Sequence, residues 1–228
     1  MGAVNPKAGN GVNISVPPKA ERGYAAEIEK ERAMKDRFMA THPESPFVDG
    51  HVEGFHGLDH FPVDPKFRVS AGLERIDPPR ESFLRTNRDG QLEARYLGDL
   101  VFALAGQTLR LRVYHAGGGE SRSVFVPFRD LTSGRESYGP GRYLTLELNE
   151  SDRYELDFNR AFNPYCAYTS AFECGFPPAE NDLPIRITAG EKVWARERNP
   201  RTPNAAIRSL LPSPPNTPPA RRRSHKAG

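Results

Sequence analysis

From Glu81 onward, apolar and polar residues alternate in short runs separated by turn-forming residues, and this period of two selects strands over helices. Ser82–Asn87 and Gln91–Leu97 flank Arg88-Asp89-Gly90, a turn that places Gly where a positive φ is expected. Leu100–Leu104 and Thr108–His115 follow, separated by Ala105-Gly106. In the second of these, Leu109, Leu111 and Val113 alternate with Arg110 and Arg112, as on a sheet with one wet face. Ser121–Phe128, Arg142–Leu148 and Arg153–Phe158 extend the series, with Asn149–Asp152 as a further turn and Pro184–Thr188 as a last strand. The pattern predicts a mainly β fold: an antiparallel barrel or sandwich of about seven or eight strands.

Upstream the pattern is different. Tyr24–Met39 is rich in good helix formers, and Tyr24, Ile28, Glu31, Lys35 and Phe38 fall on one stripe. A single helix with a narrow apolar face is expected there, ended by His42-Pro43. Residues 45–79 show little periodicity and are read as an irregular arm packed on the β core, anchored by residues such as Phe55, Leu58, Phe61 and Phe67. The two ends, residues 1–20 and 196–228, are rich in Gly and Pro or in Pro and Arg. Neither can bury enough apolar surface to offset the entropy of ordering, so both are expected to be disordered around one domain over 21–195.

Charge divides along the same boundary. The net charge of +3 conceals a tail from Arg196 with eight basic residues and one acid, leaving 24 basic and 28 acidic residues before it. A mildly acidic domain argues against nucleic acid as its partner, beyond weak, salt-sensitive contacts of the tail. No run approaches the roughly 20 apolar residues of a membrane span. The N-terminus lacks the charged start and apolar run of a secretory signal, and Pro6 stands where a myristoylation motif wants Ser or Thr. A cytoplasmic location is the expectation. The pattern does not address oligomeric state.

Alternation also assigns faces to individual polar groups. Asp130 shares parity with Val124, Val126 and Phe128, and Arg142 shares it with Leu144, Leu146 and Leu148. An acid and an arginine therefore both point inward, joined by the Gly-rich loop Thr132–Gly141. Buried charge needs partners, so the two either pair and pin the loop or stand at an open mouth where Arg142 holds an anion. The loop is no phosphate-binding P-loop, since the terminal Gly-Lys-Ser/Thr and a following helix are missing. In the next strand Tyr154, Leu156 and Phe158 face the core, which turns Asp157 outward. Beyond Phe158, polar groups mix with aromatics as in a pocket wall or a packed loop.

Phe128-Arg129-Asp130-Leu131-Thr132-Ser133-Gly134, Gly141-Arg142-Tyr143-Leu144 and Asp157-Phe158-Asn159-Arg160-Ala161-Phe162-Asn163-Pro164 resemble a prokaryotic domain of unknown function, family 1684. Cys166-Ala167-Tyr168, Cys174, Glu180-Asn181 and Ala189-Gly190-Glu191-Lys192 continue the resemblance, and Gly57–Asp64 carries it upstream. His60 stands where the family tends to have Tyr. The resemblance implies one domain that includes the helix and the arm, and it implies no reaction.

Four chemistries can be weighed on the residues. His51, His56 and His60 with Asp49, Asp59 and Asp64 are plausible metal ligands, but their spacing fits no compact motif, and no metal or other cofactor is assigned. Cys166 and Cys174 read as small reduced core residues, with a reversible disulfide open to them if they meet in space. Asp130, Asp157, Glu180 and Glu191 are the carboxylates available for acid–base work. No Gly-x-Ser-x-Gly elbow or dinucleotide fingerprint occurs. The leading expectation is a barrel-like module that binds a small polar or anionic ligand at one end. Arg142 would supply charge, Asp130, Asn159, Arg160 and Asn163 polar contacts, and Tyr138, Phe162 and Tyr168 the walls. An enzyme using Asp130 or Glu180 in the same pocket is one alternative; a structural or interaction module without ligand is the other. Convergence of Asp130, Arg142, Asn159 and Asn163 on an open cavity discriminates among them.

Overall fold

The computed structural model describes residues 19–47, 55–116 and 122–194. The ends expected to be disordered lie almost wholly outside these residues, as do Asp49 and His51. A helix, α1 (Lys19–Thr41), precedes six strands: β1 (Arg68–Arg85), β2 (Gln91–Leu104), β3 (Gln107–Ala116), β4 (Ser123–Phe128), β5 (Arg142–Glu147) and β6 (Arg153–Asp157). They form one antiparallel sheet in the order β5-β4-β3-β2-β1-β6. The fold is therefore mainly β, with six strands in place of seven or eight.

Gln91–Leu97 and Leu100–Leu104 are one continuous strand, β2, and one expected strand does not form, which takes eight to six. The arm ends earlier than expected, because β1 begins at Arg68 and runs through what reads as irregular sequence, Pro78 and Pro79 included. A register shift between Arg75 and Arg80 carries the prolines past the β2 ladder, where an N–H would otherwise be required. The expected last strand, Pro184–Thr188, is not a strand. Its alternation still governs burial: Leu183, Ile185, Ile187 and Ala189 all enter the main core.

The turns follow their residues closely. Ala105 and Gly106 both take positive φ, 51° and 74°, as a tight two-residue hairpin between β2 and β3 requires. At the β1–β2 turn the left-handed residue is Asp89, with φ 57°, and not Gly90.

The sheet curls until its edges nearly meet in a barrel. β6 pairs with the first five residues of β1, and just beyond it Phe162 bridges to Tyr143 of β5 through a pair of backbone hydrogen bonds of 2.8 and 3.0 Å. Inside lie Leu100, Phe102, Leu111, Val113, Val126, Phe128, Leu156 and Phe158, the inward residues that alternation selects. The segment after Pro178 passes over this interior and plugs it with Ile185 and Ile187.

α1 packs its predicted stripe against the barrel. Ile28 is fully buried, and the Tyr24 hydroxyl donates to both carboxylate oxygens of Asp157, at 2.8 and 2.9 Å. Arg160 ties the same helix down through Glu27 and Glu31. A second apolar cluster joins Met39 at the helix end to Phe47, Leu58, Tyr168 and Trp194.

Candidate functional site

Arg142 and Asp130 meet inside the barrel. Gly141 makes the approach possible: at φ 125°, a Cβ there would stand 2.8 Å from the Phe128 carbonyl and 2.5 Å from the Pro177 ring. The Arg142 Nη2 donates to Asp130 Oδ2 at 2.8 Å, and both side chains are wholly shielded from solvent. Nη2 also donates to the Ile187 carbonyl at 3.0 Å, and Nη1 to the carbonyls of Ala189 and Glu191 at 2.5 and 3.1 Å. The Asp130 Oδ1 accepts the backbone N–H groups of Thr132, at 2.7 Å, and Ile187, at 3.1 Å. The guanidinium lies near the faces of Phe61 and Phe128. Burial pulls its pKa below the usual arginine value, and the Asp130 charge opposes the shift.

This arrangement explains why residues 183–191 are no strand. Their backbone groups bond to an arginine, an aspartate and the chain around Arg129 instead of to a neighbouring ladder. Arg142 therefore does not stand at an open mouth, as one of the two sequence readings had it. The C-terminal segment caps that end of the sheet and supplies the carbonyls that accept from it.

The same segment delivers Glu191. Gly190 takes φ 74° against the Ala161 and Phe158 carbonyls, where a Cβ would be within 2.8 Å of either oxygen. The Glu191 side chain is then buried and accepts from Lys35 Nζ at 2.5 Å, Tyr168 hydroxyl at 2.5 Å and the Asn163 N–H at 2.8 Å. His60 Nε2 stands 4.0 Å away. Burial raises the Tyr168 pKa well above its ordinary value, with the Glu191 charge adding to it. Burial lowers that of His60, against the pull of Glu191.

A third polar centre surrounds Asp157, which the strand pattern turns outward and the structure buries. The carboxylate accepts the Asn159 N–H at 3.0 Å, capping a short 3-10 helix over Phe158–Arg160. It also accepts from Tyr24 and from Arg160. Capping turns the side chain back under the barrel end, where α1 covers it. Asn159 further bonds both ways with the Asp64 backbone, at 2.9 Å.

The eight expected ligand residues thus divide. Asp130 and Arg142 form one centre, Asn163 and Tyr168 meet at Glu191, and Asn159 and Arg160 meet at Asp157. Phe162 packs edge-on against Tyr143 and under Lys35. The Tyr138 hydroxyl lies 3.8 Å from Cys166 Sγ. Glu180, the alternative acid, pairs with Arg112 at the surface at 3.0 Å.

Two clefts stand out among the described residues, and none of the eight lines either. One, of about 590 Å³, opens beside the Leu104–Gly106 turn, with Phe67, Val69 and Ile185 as apolar walls. Its two cations are engaged, Lys66 with Asp64 at 2.6 Å and Arg186 with Glu136. The other, of about 430 Å³, lies between α1 and the arm and is lined by Glu29, Arg32, Asp36, Asp59, His60 and Phe61 among others. Arg32 has more unpartnered donors than any other cation described so far, Arg142 leaving only its Nε without a partner. The Arg32 side chain is 10% exposed, Nη1 donates to Glu29 at 3.0 Å, and Nε and Nη2 are buried without a partner.

Arg32 and Lys35 were legible only in outline. Lys35 lies on the helical stripe, and Arg32 is four residues from Ile28 on the same face, where a charge is out of place against a core. Among the described residues no group of three or more His, Cys, Asp or Glu could hold a metal ion, and no helix is long and apolar enough to cross a membrane.

Residues 53–192 match the model of a family described as a protein of unknown function, DUF1684. The solution NMR structure of an uncharacterized protein from Haloarcula marismortui is similar, at 36% identity with a TM-score of 0.60. The match covers 76% of this chain and 96% of that one. No curated protein matches the chain.

Proposed function

Since the chain belongs to the DUF1684 family of proteins of unknown function, we propose its role from its own geometry: a barrel-like module that binds a small polar ligand in the cleft between α1 and the arm. The observation that carries this reading is Arg32. A buried donor left unpaired costs about 1–3 kcal/mol, and more when charged. A small rotation of the side chain toward the cleft would bring Nε and Nη2 to a ligand oxygen and recover that cost. Guanidinium geometry favours a carboxylate, which accepts two parallel N–H bonds.

The rest of the lining narrows the ligand class. Glu29, Asp36 and Asp59 also face the cleft, so a polyanion meets repulsion there. One acidic group accompanied by hydrogen-bond donors, as in an amino acid or a hydroxy acid, suits one arginine among three carboxylates. His60 contributes a ring held by its Nδ1 contact to the Leu58 carbonyl at 2.9 Å. The ligand site is thereby moved from the motif residues, which line neither cleft and bond mostly to the chain itself, to the cleft between α1 and the arm. A cytoplasmic location stays part of the proposal.

The test is a titration of the full chain, followed by backbone amide NMR shifts, with glycine, lactate and acetate as probes. Saturable shifts clustered at Asp59, His60 and Phe61 are expected in the wild type and absent in Arg32→Gln. Identical shifts in both proteins, or none localised to the cleft, sink the reading.

A further inference from the structure

Arg32 and Asp36 stand one turn apart on α1, and both line the cleft between the helix and the arm. Opposite charges four residues apart on a helix ordinarily attract, though less well when the cation comes first, as here. These two do not bond. Arg32 Nη1 turns back to Glu29, at 3.0 Å, while its Nε and Nη2 reach no acceptor. Asp36 turns to the arm instead, where its Oδ1 accepts the Leu58 N–H at 2.9 Å.

Gly57 seats that carboxylate. With φ 108° and no Cβ it leaves room for Asp36 Oδ2, which would otherwise stand 2.8 Å from the added carbon. Among the described residues, no donor is bonded to Oδ2. Helix and arm thus fix Asp36 between them, whereas the Glu29 side chain is 61% exposed and held by Arg32. A guanidinium with open donors and a carboxylate with an open acceptor therefore border one cleft. Their Cβ atoms are about 5–6 Å apart, as the helical spacing sets.

The charge of the lining points the same way. Among the described residues the cleft has one arginine, Arg32, against Glu29, Asp36 and Asp59. Burial lowers the His60 pKa, so its ring adds no second cation at neutral pH. A ligand with a carboxylate alone brings a further negative charge among these acids. A ligand that carries an ammonium beside its carboxylate does not.

We infer that the cleft takes a zwitterion, an α-amino acid, whose carboxylate accepts from Arg32 and whose ammonium donates to Asp36 Oδ2. This rests on the cleft reading above and replaces its choice between amino and hydroxy acids with the first. The two charged groups of an α-amino acid share one carbon, so they fit between residues one helical turn apart. Arg32 turns toward the cleft and meets the carboxylate with its two open donors. The ammonium then fills the acceptor that the arm leaves open on Asp36.

The experiment titrates the full chain at neutral pH with glycine, glycolate and methylammonium, read by backbone amide NMR shifts. Glycolate has a hydroxyl in place of the ammonium, and methylammonium lacks the carboxylate. Glycine should bind roughly tenfold more tightly than either, or better. Asp36→Asn keeps the Oδ1 acceptor for Leu58; it should weaken glycine roughly tenfold and leave glycolate unchanged or tighter. Arg32→Gln should weaken both. Glycolate binding as tightly as glycine, or an equal loss of both in Asp36→Asn, overturns the zwitterion and leaves the cleft reading standing. Methylammonium binding as tightly as glycine, or no saturable shift with any of the three, overturns both. If Asp36→Asn fails to fold, the wild-type ranking of the probes decides alone.

Discussion

Two arginines in this molecule lie beside the same arm and have opposite circumstances. Arg142 is buried among carbonyls and a carboxylate, with four hydrogen bonds from its two terminal nitrogens. Arg32 is nearly as deep, yet two of its three nitrogens have no partner. Arg142 organises a segment of chain that has no strand neighbour, so its bonds go to the protein's own backbone. Arg32 lines a cleft, and on the proposed reading its unpartnered donors serve a ligand there. What marks a binding charge on that reading is a guanidinium with most of its donors unpartnered beside a cleft, and burial alone does not.

The largest effect should come from breaking the satisfied side of this contrast. Arg142→Met leaves Asp130 buried without its countercharge and removes the acceptor bonds of residues 187–191. A loss of about 3–5 kcal/mol is expected in urea unfolding. Asp130→Asn combined with Arg142→Met should cost less than the sum of the single losses, because the stranded charge is gone. Additive losses would show that the two groups do not act as a pair.

Next in size is the Asp157 centre. Tyr24→Phe deletes a hydroxyl bonded to a buried carboxylate and should cost about 1.5–3 kcal/mol. The packing of the ring is retained, so a loss near zero would mean that α1 is held by its apolar stripe and Arg160 alone. Arg160→Gln is a milder probe. Its partners Glu27 and Glu31 are exposed but its third, Asp157, is buried, so a loss of about 1–2 kcal/mol is expected, of which only the Glu27 and Glu31 share should shrink as salt is added.

Acidification tests the polar core behind the cleft. Burial holds the folded His60 pKa below its ordinary 6.5, so the fold favours the neutral ring. Its contribution is present above pH 6.5 and is lost as pH falls through the folded value. Stability should therefore decline on acidification below about 6.5, and His60→Gln should flatten that part of the profile. An unchanged profile would assign the acid sensitivity to other groups. The smallest loss belongs to Arg32→Gln, which removes buried donors that have no partner and one pair with exposed Glu29, and should leave stability unchanged or raise it by about 1 kcal/mol. A large loss there would show that Arg32 serves the fold, and the contrast with Arg142 would collapse.

Much of the framework was legible because pleat and helix periods are local. Alternation placed Leu109, Leu111, Val113, Val124 and Val126 in the core and turned Asp130 and Arg142 inward beside them. The stripe of α1 named Tyr24, Ile28, Glu31 and Lys35, each of which touches or packs toward the barrel. Where local rules failed, a distant group had replaced the expected neighbour. Pro184–Thr188 kept its alternation and lost its ladder. Asp157 kept its parity and was turned inward by a cap. The candidate site was harder to read, because Arg32 carries no motif and is distinguished only by the partners it lacks.

By itself the sequence determined the mainly β class, the helix, most turns, and the inward direction of the acid–arginine pair, since each follows from contacts a few residues apart. Only the tertiary structure decided whether that pair faced water or protein. The Arg142 carbonyl partners lie 45, 47 and 49 residues away, brought over the barrel end by Gly190 and the inward side chains of 183–189. No local period encodes a partner at that distance. Closure of the chain over its own interior sealed one arginine in and left the other at the edge of a cleft.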